Sequence, residues 1–306
     1  MAKKEVALRC YEMVSVSDTI SKTEDIYSDF VQFLRSTKKV EDRVIHFTDA
    51  EQEGESDCVS YFEEIEDTVF CFMFRAHAGA PITIDSDFLN KPSFTPEQML
   101  DESDEKTLGF IKAHTYILMN KHFIVFRSGQ FKAEDISIYI RQSLKKTPKY
   151  AKKEVLFTIK PSLKSGFDRS RIKSLELKSG YRLNEKSAVS SFVTKIESQL
   201  LNSVLDAKDI AKIKPENIIE ASVILRFKKP ETTTEEDVLR SFLGAVNTDD
   251  AIVRDKRNQT INPDEILLKS HPRINFLENN YPDRADILYE MQALLHEAID
   301  DKKKRV

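Results

Sequence analysis

Glycine is scarce in this chain: there are only seven, at positions 54, 79, 109, 129, 166, 180 and 244, and no two are close together. A phosphate-cradling loop and a dinucleotide fingerprint both need clustered glycines, so both are excluded. Cysteine is nearly as rare. Cys10, Cys58 and Cys71 are odd in number, widely spaced and outside any CxxC arrangement, which leaves no disulfide framework and no structural zinc site. Cys71 lies in an apolar run and reads as a small core residue. The six histidines, His46, His77, His114, His122, His271 and His296, form no HExxH or other ligand spacing, and each reads as structural or surface. No serine stands in a GxSxG elbow. No cofactor and no metal site are expected. The longest apolar run, Val69 to Phe74, falls far short of the roughly 20 residues that cross a bilayer. The opening Met1-Ala2-Lys3-Lys4-Glu5 has no apolar core or cleavage site behind it, so the expectation is a cytoplasmic protein without an export signal.

What is present fits a folded globule, since hydrophobic residues make up 40% and charged residues 32%. At about 150 residues per domain, 306 residues suggest two. The net charge of −4 conceals a reversal: residues 1–140 sum to −11 and residues 141–306 to +7, with +12 concentrated in 141–230. The sign changes at a basic, proline-containing segment carrying Lys145, Lys146, Pro148, Lys149, Lys152 and Lys153. The expected division is therefore an acidic domain over 1–147 and a second domain over 148–306, with a basic section and a long terminal helix.

Hydrophobic periodicity supplies the elements. Glu5 to Val14 alternates as a strand, and Ile26, Phe30, Phe33 and Leu34 repeat as a helix. Strands follow at 43–47, 58–62 and 68–74, which make an antiparallel meander. Residues 80–104, with Pro81, Pro92 and Pro96, read as a long connection with at most one helical turn near Glu97. Phe110 to Met119 and His122 to Phe126, split by Asn120-Lys121, read as a hairpin before a helix over 133–144. The second half reads as strands at 155–159, 172–177, 218–227, 251–254 and 265–268, with helices at 188–205, after Thr232, and at 283–300. The fold class is α+β, with two domains that are each a mostly antiparallel sheet with packed helices.

Asp49, Glu51, Glu53, Glu55 and Asp57, then Glu63, Glu64, Glu66 and Asp67, form an acidic run with no Lys or Arg among them. It lacks the spacing of a calcium loop and reads as a solvated acidic loop or edge. The sharpest catalytic candidate is Asp168 with Glu176-Leu177-Lys178, because such a set on neighbouring strands can hold magnesium and activate water. The spacing is short, however, and strand alternation turns Glu176 and Lys178 outward. A non-enzymatic protein is expected, with a metal-dependent nuclease as one rival. A protein-interaction or inhibitor module using the acidic half as a mimic of nucleic acid is another.

The binding signal is a distribution. Lys145, Lys146, Lys149, Lys152, Lys153, Lys160, Lys164, Arg169, Arg171, Lys173, Arg226, Lys228 and Lys229 crowd one section with few acidic neighbours. Such groups on one face would neutralise phosphates and release counterions. Tyr150, Phe157, Phe167, Tyr181 and Phe227 are interleaved with them; bases stack on exposed aromatics, but most aromatics belong to cores. No helix-turn-helix, zinc finger or RNA-binding sheet motif is visible, so DNA contact through the backbone is expected rather than base reading.

Leu108-Gly109-Phe110 entering a hairpin, Phe126-Arg127-Ser128-Gly129 leading to an isoleucine-rich helix, Val223-Ile224-Leu225-Arg226-Phe227-Lys228, and a closing helix after Tyr281-Pro282 occur in an order that resembles the RexA family of lambdoid phage exclusion. That family is related in architecture to the RdgC recombination-associated proteins. The acidic run and the 80–104 connection are longer here than the family pattern. The resemblance implies a homodimer on duplex DNA without strong sequence preference, acting in phage exclusion, antiviral defence and abortive infection or in a phage-state switch. It also admits a membrane-protein partner. KwaB-like DNA-binding defence proteins are a neighbouring reading.

Overall fold

The computed structural model describes residues 2–15, 23–46, 55–76, 86–98, 111–127, 129, 131–152, 155, 157–164, 172–177, 224–226, 251–277 and 281–303. In chain order the elements are β1 (Ala2–Glu5), β2 (Leu8–Ser15), α1 (Thr23–Ser36), a 3₁₀ turn (Val40–Arg43), β3 (Ile45–His46), β4 (Ser56–Ile65), β5 (Thr68–Ala76) and α2 (Ser86–Asn90). They continue with β6 (Ile111–Met119), β7 (Phe123–Arg127), α3 (Ala133–Lys145), β8 (Phe157–Pro161), β9 (Ile172–Leu177), β10 (Ile224–Arg226), β11 (Ala251–Asp255) and β12 (Thr260–Ile261). The last are α4 (Pro263–Ile266), β13 (Lys269–Ser270), β14 (Arg273–Phe276) and α5 (Arg284–Lys303). Every strand pairing among the described residues is antiparallel. The fold is mixed α and β, as expected. No helix among the described residues is long and apolar enough to cross a membrane.

Contacts group the chain into two units. One is Met1–Ser162 with Leu268–Val306, the other Leu163–Leu267. This division differs from the 147/148 boundary expected from the charge reversal, because Tyr150, Val155 and Phe157 are buried in the same core as α1 and α3. The basic stretch that changes the sign of the chain continues the first unit.

The first unit is built on a sheet of order β13-β2-β7-β6-β5-β4-β3, with β8 pairing the far half of β2. Its strands β3 to β5 run in sequence as the expected meander, and the expected hairpin, β6 and β7, extends it. The run that reads as one apolar strand is β5, and it is buried on both faces. Side chains of a strand alternate between faces. Phe70, Phe72 and Phe74 enter one core with Ile287, Met291, Leu294 and Leu295 of α5. Val69, Cys71 and Met73 enter the other with Ile26, Phe30 and Leu34 of α1 and Ile136, Tyr139 and Ile140 of α3. The sheet thus lies between two helical layers. Cys10, Cys58 and Cys71 are all buried free thiols, and burial pushes each up to about 12.

The Asn120 carboxamide makes the β6–β7 turn by accepting the His122 and Phe123 amides at 2.8 and 2.7 Å. Within the connection after β5 the helix α2 forms as well as a turn at 96–98, and Phe88 and Phe94 anchor it in the core.

In the second unit β10-β9-β11-β12 form a four-stranded sheet. The strand expected at 265–268 is instead the short helix α4, followed by a bridge from Leu267 to Leu163. Asn262-Pro263-Asp264 explains the difference: Pro fixes the first helical φ and the Asn262 carbonyl accepts the Glu265 amide at 2.9 Å. The strand expected at 43–47 is reduced to Ile45–His46 by the preceding 3₁₀ turn. Of the strand expected at 218–227 only Ile224–Arg226 is described, and the helices expected at 188–205 and after Thr232 lie outside the described residues.

The β4–β5 turn places Glu66 at φ 51°, where a Cβ crowds the backbone at a cost of about 1–2 kcal/mol. Glu66→Gly removes that crowding, partly offset by the entropy of a freer unfolded chain. The expected result is a thermal midpoint higher by roughly 1–3 °C; a lower midpoint would show that the Glu66 side chain contributes more than its backbone costs.

Candidate nucleic-acid interface

The expected cations divide between the two units. Lys145, Lys146, Lys149, Lys152 and Lys160 belong to the first, and Lys164, Lys173 and Arg226 to the second. Lys153, Arg169, Arg171, Lys228 and Lys229 lie outside the described residues.

Within the segment after α3, sequence alone cannot separate structural lysines from surface ones, and the structure does. The Lys146 ammonium donates to the carbonyls of Asp42 and Val44 at 3.1 and 2.8 Å. It thereby satisfies acceptors at the end of the 3₁₀ turn, and burial pulls its pKa down. The Lys149 ammonium meets Asp29 of α1 at 2.5 Å, and that carboxylate also accepts from the Tyr150 hydroxyl at 2.5 Å. The bond to Asp29 holds Lys149 above its ordinary value. These two lysines staple the segment to the unit. Lys145 and Lys152 are exposed, and among the described residues no ion pair engages either.

Lys160 stands in β8 opposite Glu12, whose carboxylate lies 3.1 Å from the Lys302 ammonium. Lys164 is half-buried beside the Leu163 bridge. Lys173 is exposed in β9 with its ammonium 3.4 Å from the Asn258 carboxamide oxygen. In register, Arg226 of β10 is opposite Ser174 of β9, and Ser174 is opposite Arg254 of β11. The sequence reading passed over Arg254, Lys256 and Arg257. A signal for them existed, since Asp255-Lys256-Arg257-Asn258 between two short apolar runs is a charged turn.

The nuclease set cannot be assembled from the described residues. Asp168 and Lys178 lie outside them, and Glu176 is placed only by its backbone, opposite Ile224 and Ile252. Among the described residues no cluster of His, Cys, Asp and Glu could hold a metal ion. An open groove of about 410 Å³ is lined by Thr95, Glu97, Gln98, Asp283, Arg284 and Ala285. Its arginine is engaged by Tyr61 and by Glu63 at 3.4 Å, so the groove offers carboxylates rather than free cations.

The acidic run departs from its expected solvation. Glu55 and Asp57 are buried, and Asp57 receives the Arg75 guanidinium through two bonds of 2.6 and 2.8 Å. Asp135, three residues into the cap of α3, lies 3.1 Å from the same guanidinium, and Glu55 3.8 Å. Arg75 also lies 4.9 Å over the Phe131 ring. Burial pushes the Asp57 carboxyl up to about 6; Arg75 opposes this, and Asp135 and Glu55 add to it. Burial pulls Arg75 down, but its bonds to Asp57 and Asp135 outweigh that and leave it above its ordinary value. Three carboxylates therefore share one cation in this core.

His114 is half-buried against Tyr281, with ring centroids 4.4 Å apart, and accepts from Arg127 at 3.3 Å. Burial, with Arg127 beside it, pulls it down to about 4, which keeps it neutral at physiological pH.

Compared with known protein families and with curated proteins, the chain matches none.

Two outcomes follow from this geometry. Lys146→Gln removes the ammonium's bonds to the Asp42 and Val44 carbonyls and lowers the unfolding free energy by about 1 kcal/mol, whereas Lys145→Gln stays within about 0.5 kcal/mol of wild type in the same urea titration. Equal effects would mean that Lys146 is not a staple. The Asp57 carboxyl, raised above its unfolded value, contributes stability at low pH that is lost as pH rises through about 6. Unfolding from about pH 4 to about pH 7 should therefore show wild type losing stability relative to Asp57→Asn as pH increases. The opposite slope would mean that Arg75 holds Asp57 ionised throughout.

Proposed function

We propose that this chain binds duplex DNA through the phosphate backbone, without reading base sequence and without cleaving it, as a non-enzymatic protein of phage exclusion or phage defence. The observation that carries the reading is the +12 concentrated in residues 141–230 of a chain whose net charge is −4. A local excess of cations on an otherwise acidic protein favours a polyanion over an acidic surface, and it neutralises phosphates without needing a base-reading element. Exposed and unpaired Lys145 and Lys152 support it within the described residues. The phage-exclusion setting, the homodimer and a membrane-protein partner rest on the resemblance to the RexA family.

We assign the backbone contacts to the other cations ahead of Lys146 and Lys149, because protein carbonyls and Asp29 compete for these two ammonium groups. The alternative of an acidic interaction module has one favouring observation, the net charge of −11 over residues 1–140. Burial of Glu55 and Asp57 removes two of those charges from the surface.

Affinity for unrelated duplexes across a salt series tests the reading. With roughly four to eight phosphates neutralised, the log–log slope lies between about −4 and −7. Unrelated sequences give equal affinity, and added magnesium produces no cleavage. Absence of binding at low salt, together with capture of a protein partner by the acidic half, would replace this function with the interaction-module one.

A further inference from the structure

The β11–β12 connection carries an arrangement of cations that the basic section of the sequence does not include. Asp255 is buried, and its carboxylate accepts the backbone amides of Arg257 and Gln259 at 2.9 and 2.8 Å. The Asp255 amide in turn donates to the Gln259 carbonyl at 2.9 Å, and the Asn258 amide to the Asp255 carbonyl at 2.9 Å. Asn258 sits at φ 64°, a conformation that Asn tolerates better than most residues. The turn is thus fixed at both ends by its own bonds. Its acidic residue is directed inward, where it caps the backbone.

Lys256 and Arg257 project from this turn and are exposed, and among the described residues no ion pair engages them. A third cation joins them by a different device. In the pairing of β9 with β11, Arg254 faces Ser174 and Asp255 faces Ile172, so Lys173 is skipped in the register. Such a bulge re-aims the extra side chain. The Lys173 ammonium accordingly reaches the turn, 3.4 Å from the Asn258 carboxamide oxygen.

We infer that this turn is a phosphate-binding tip, in which Lys256, Arg257 and the bulged Lys173 engage successive phosphates of the DNA backbone. The inference rests on the DNA-binding reading and adds to it the place of contact. A polyanion with closely spaced charges suits the tip better than a single small anion, because two of its cations stand on a fixed turn and the third reaches that turn from β9. The arginine supplies a planar fork for a phosphate, and the two ammonium groups act as point charges.

The test compares full-length wild type with Lys173→Gln/Lys256→Gln/Arg257→Gln by fluorescence anisotropy on a labelled duplex across a salt series. Three lost phosphate contacts should shallow the log–log slope by about 2.7. Affinity for every duplex sequence should fall alike. Lys145→Gln/Lys152→Gln, measured in parallel, reports on the segment after α3. If wild type binds and the triple variant keeps the wild-type slope, the tip is overturned while the DNA-binding reading stands. If wild type itself fails to bind at low salt, both fall. Should the triple variant have a lowered unfolding midpoint, the single variants Lys256→Gln and Arg257→Gln decide, each expected to shallow the slope by about 0.9; unchanged slopes in both overturn the tip.

Discussion

The two-sided burial of β5 is the constraint from which the rest of the first unit follows. A strand with Phe70, Phe72 and Phe74 on one face and Val69, Cys71 and Met73 on the other cannot sit at an exposed sheet surface. Each face requires its own cover. One cover, α1 and α3, comes from the same stretch of chain as the meander. The other is α5, which comes from the end of the chain, and with it come β13 and β14. Backbone bonds at Cys10 close this arrangement: Ser162 donates to the Cys10 carbonyl, Leu268 to the Ser162 carbonyl and Cys10 to the Leu268 carbonyl, at 2.9, 2.8 and 3.1 Å. The chain thus leaves the first unit after Ser162 and rejoins it at Leu268, at neighbouring positions. Everything from Leu163 to Leu267 is an excursion between two hydrogen-bonded residues.

This connectivity also separates what periodicity could read from what it could not. The hairpin at 111–127, helices α1 and α5, and strand β9 follow directly from the spacing of their apolar residues, whereas Ile136, Ile138, Ile140 and Leu144 of α3 match a helical face only in part. Those signals are local, and the packing agrees with them. The grouping of the chain is a non-local property, so the charge reversal was a poor guide to it: Tyr150, Val155 and Phe157 bring a basic segment into an apolar core. The expected strand at 265–268 fails for a local reason, since Pro263 and Asn262 start a helix that the apolar Ile266-Leu267-Leu268 conceals.

Charge is legible as a sum but its use is not. Nothing in the spelling of Lys145-Lys146 says that one ammonium is exposed and the next serves two carbonyls. Nor does an uninterrupted acidic run say that Asp57 is enclosed with Arg75, because the arginine arrives from the neighbouring strand and Asp135 from a helix more than seventy residues later. The turn at Asp255 is the converse case. It was readable as a turn, but the bulge that brings Lys173 to it belongs to the pairing of two strands.

The position of α5 has a consequence for biosynthesis. The Tyr116 hydroxyl donates to the Pro282 carbonyl, and Arg284 meets Tyr61 and Glu63, contacts that span more than 160 residues of sequence. On the ribosome the aromatic face of β5 is complete long before its cover exists. The end of α5 at Lys303 lies about 140 residues after Ser162, so at roughly 5–20 residues per second the delay is on the order of 10–30 s. During that interval Phe70, Phe72 and Tyr116 lack the cover that α5 supplies. A transiently uncovered apolar face of this kind is where a growing chain is prone to associate with others.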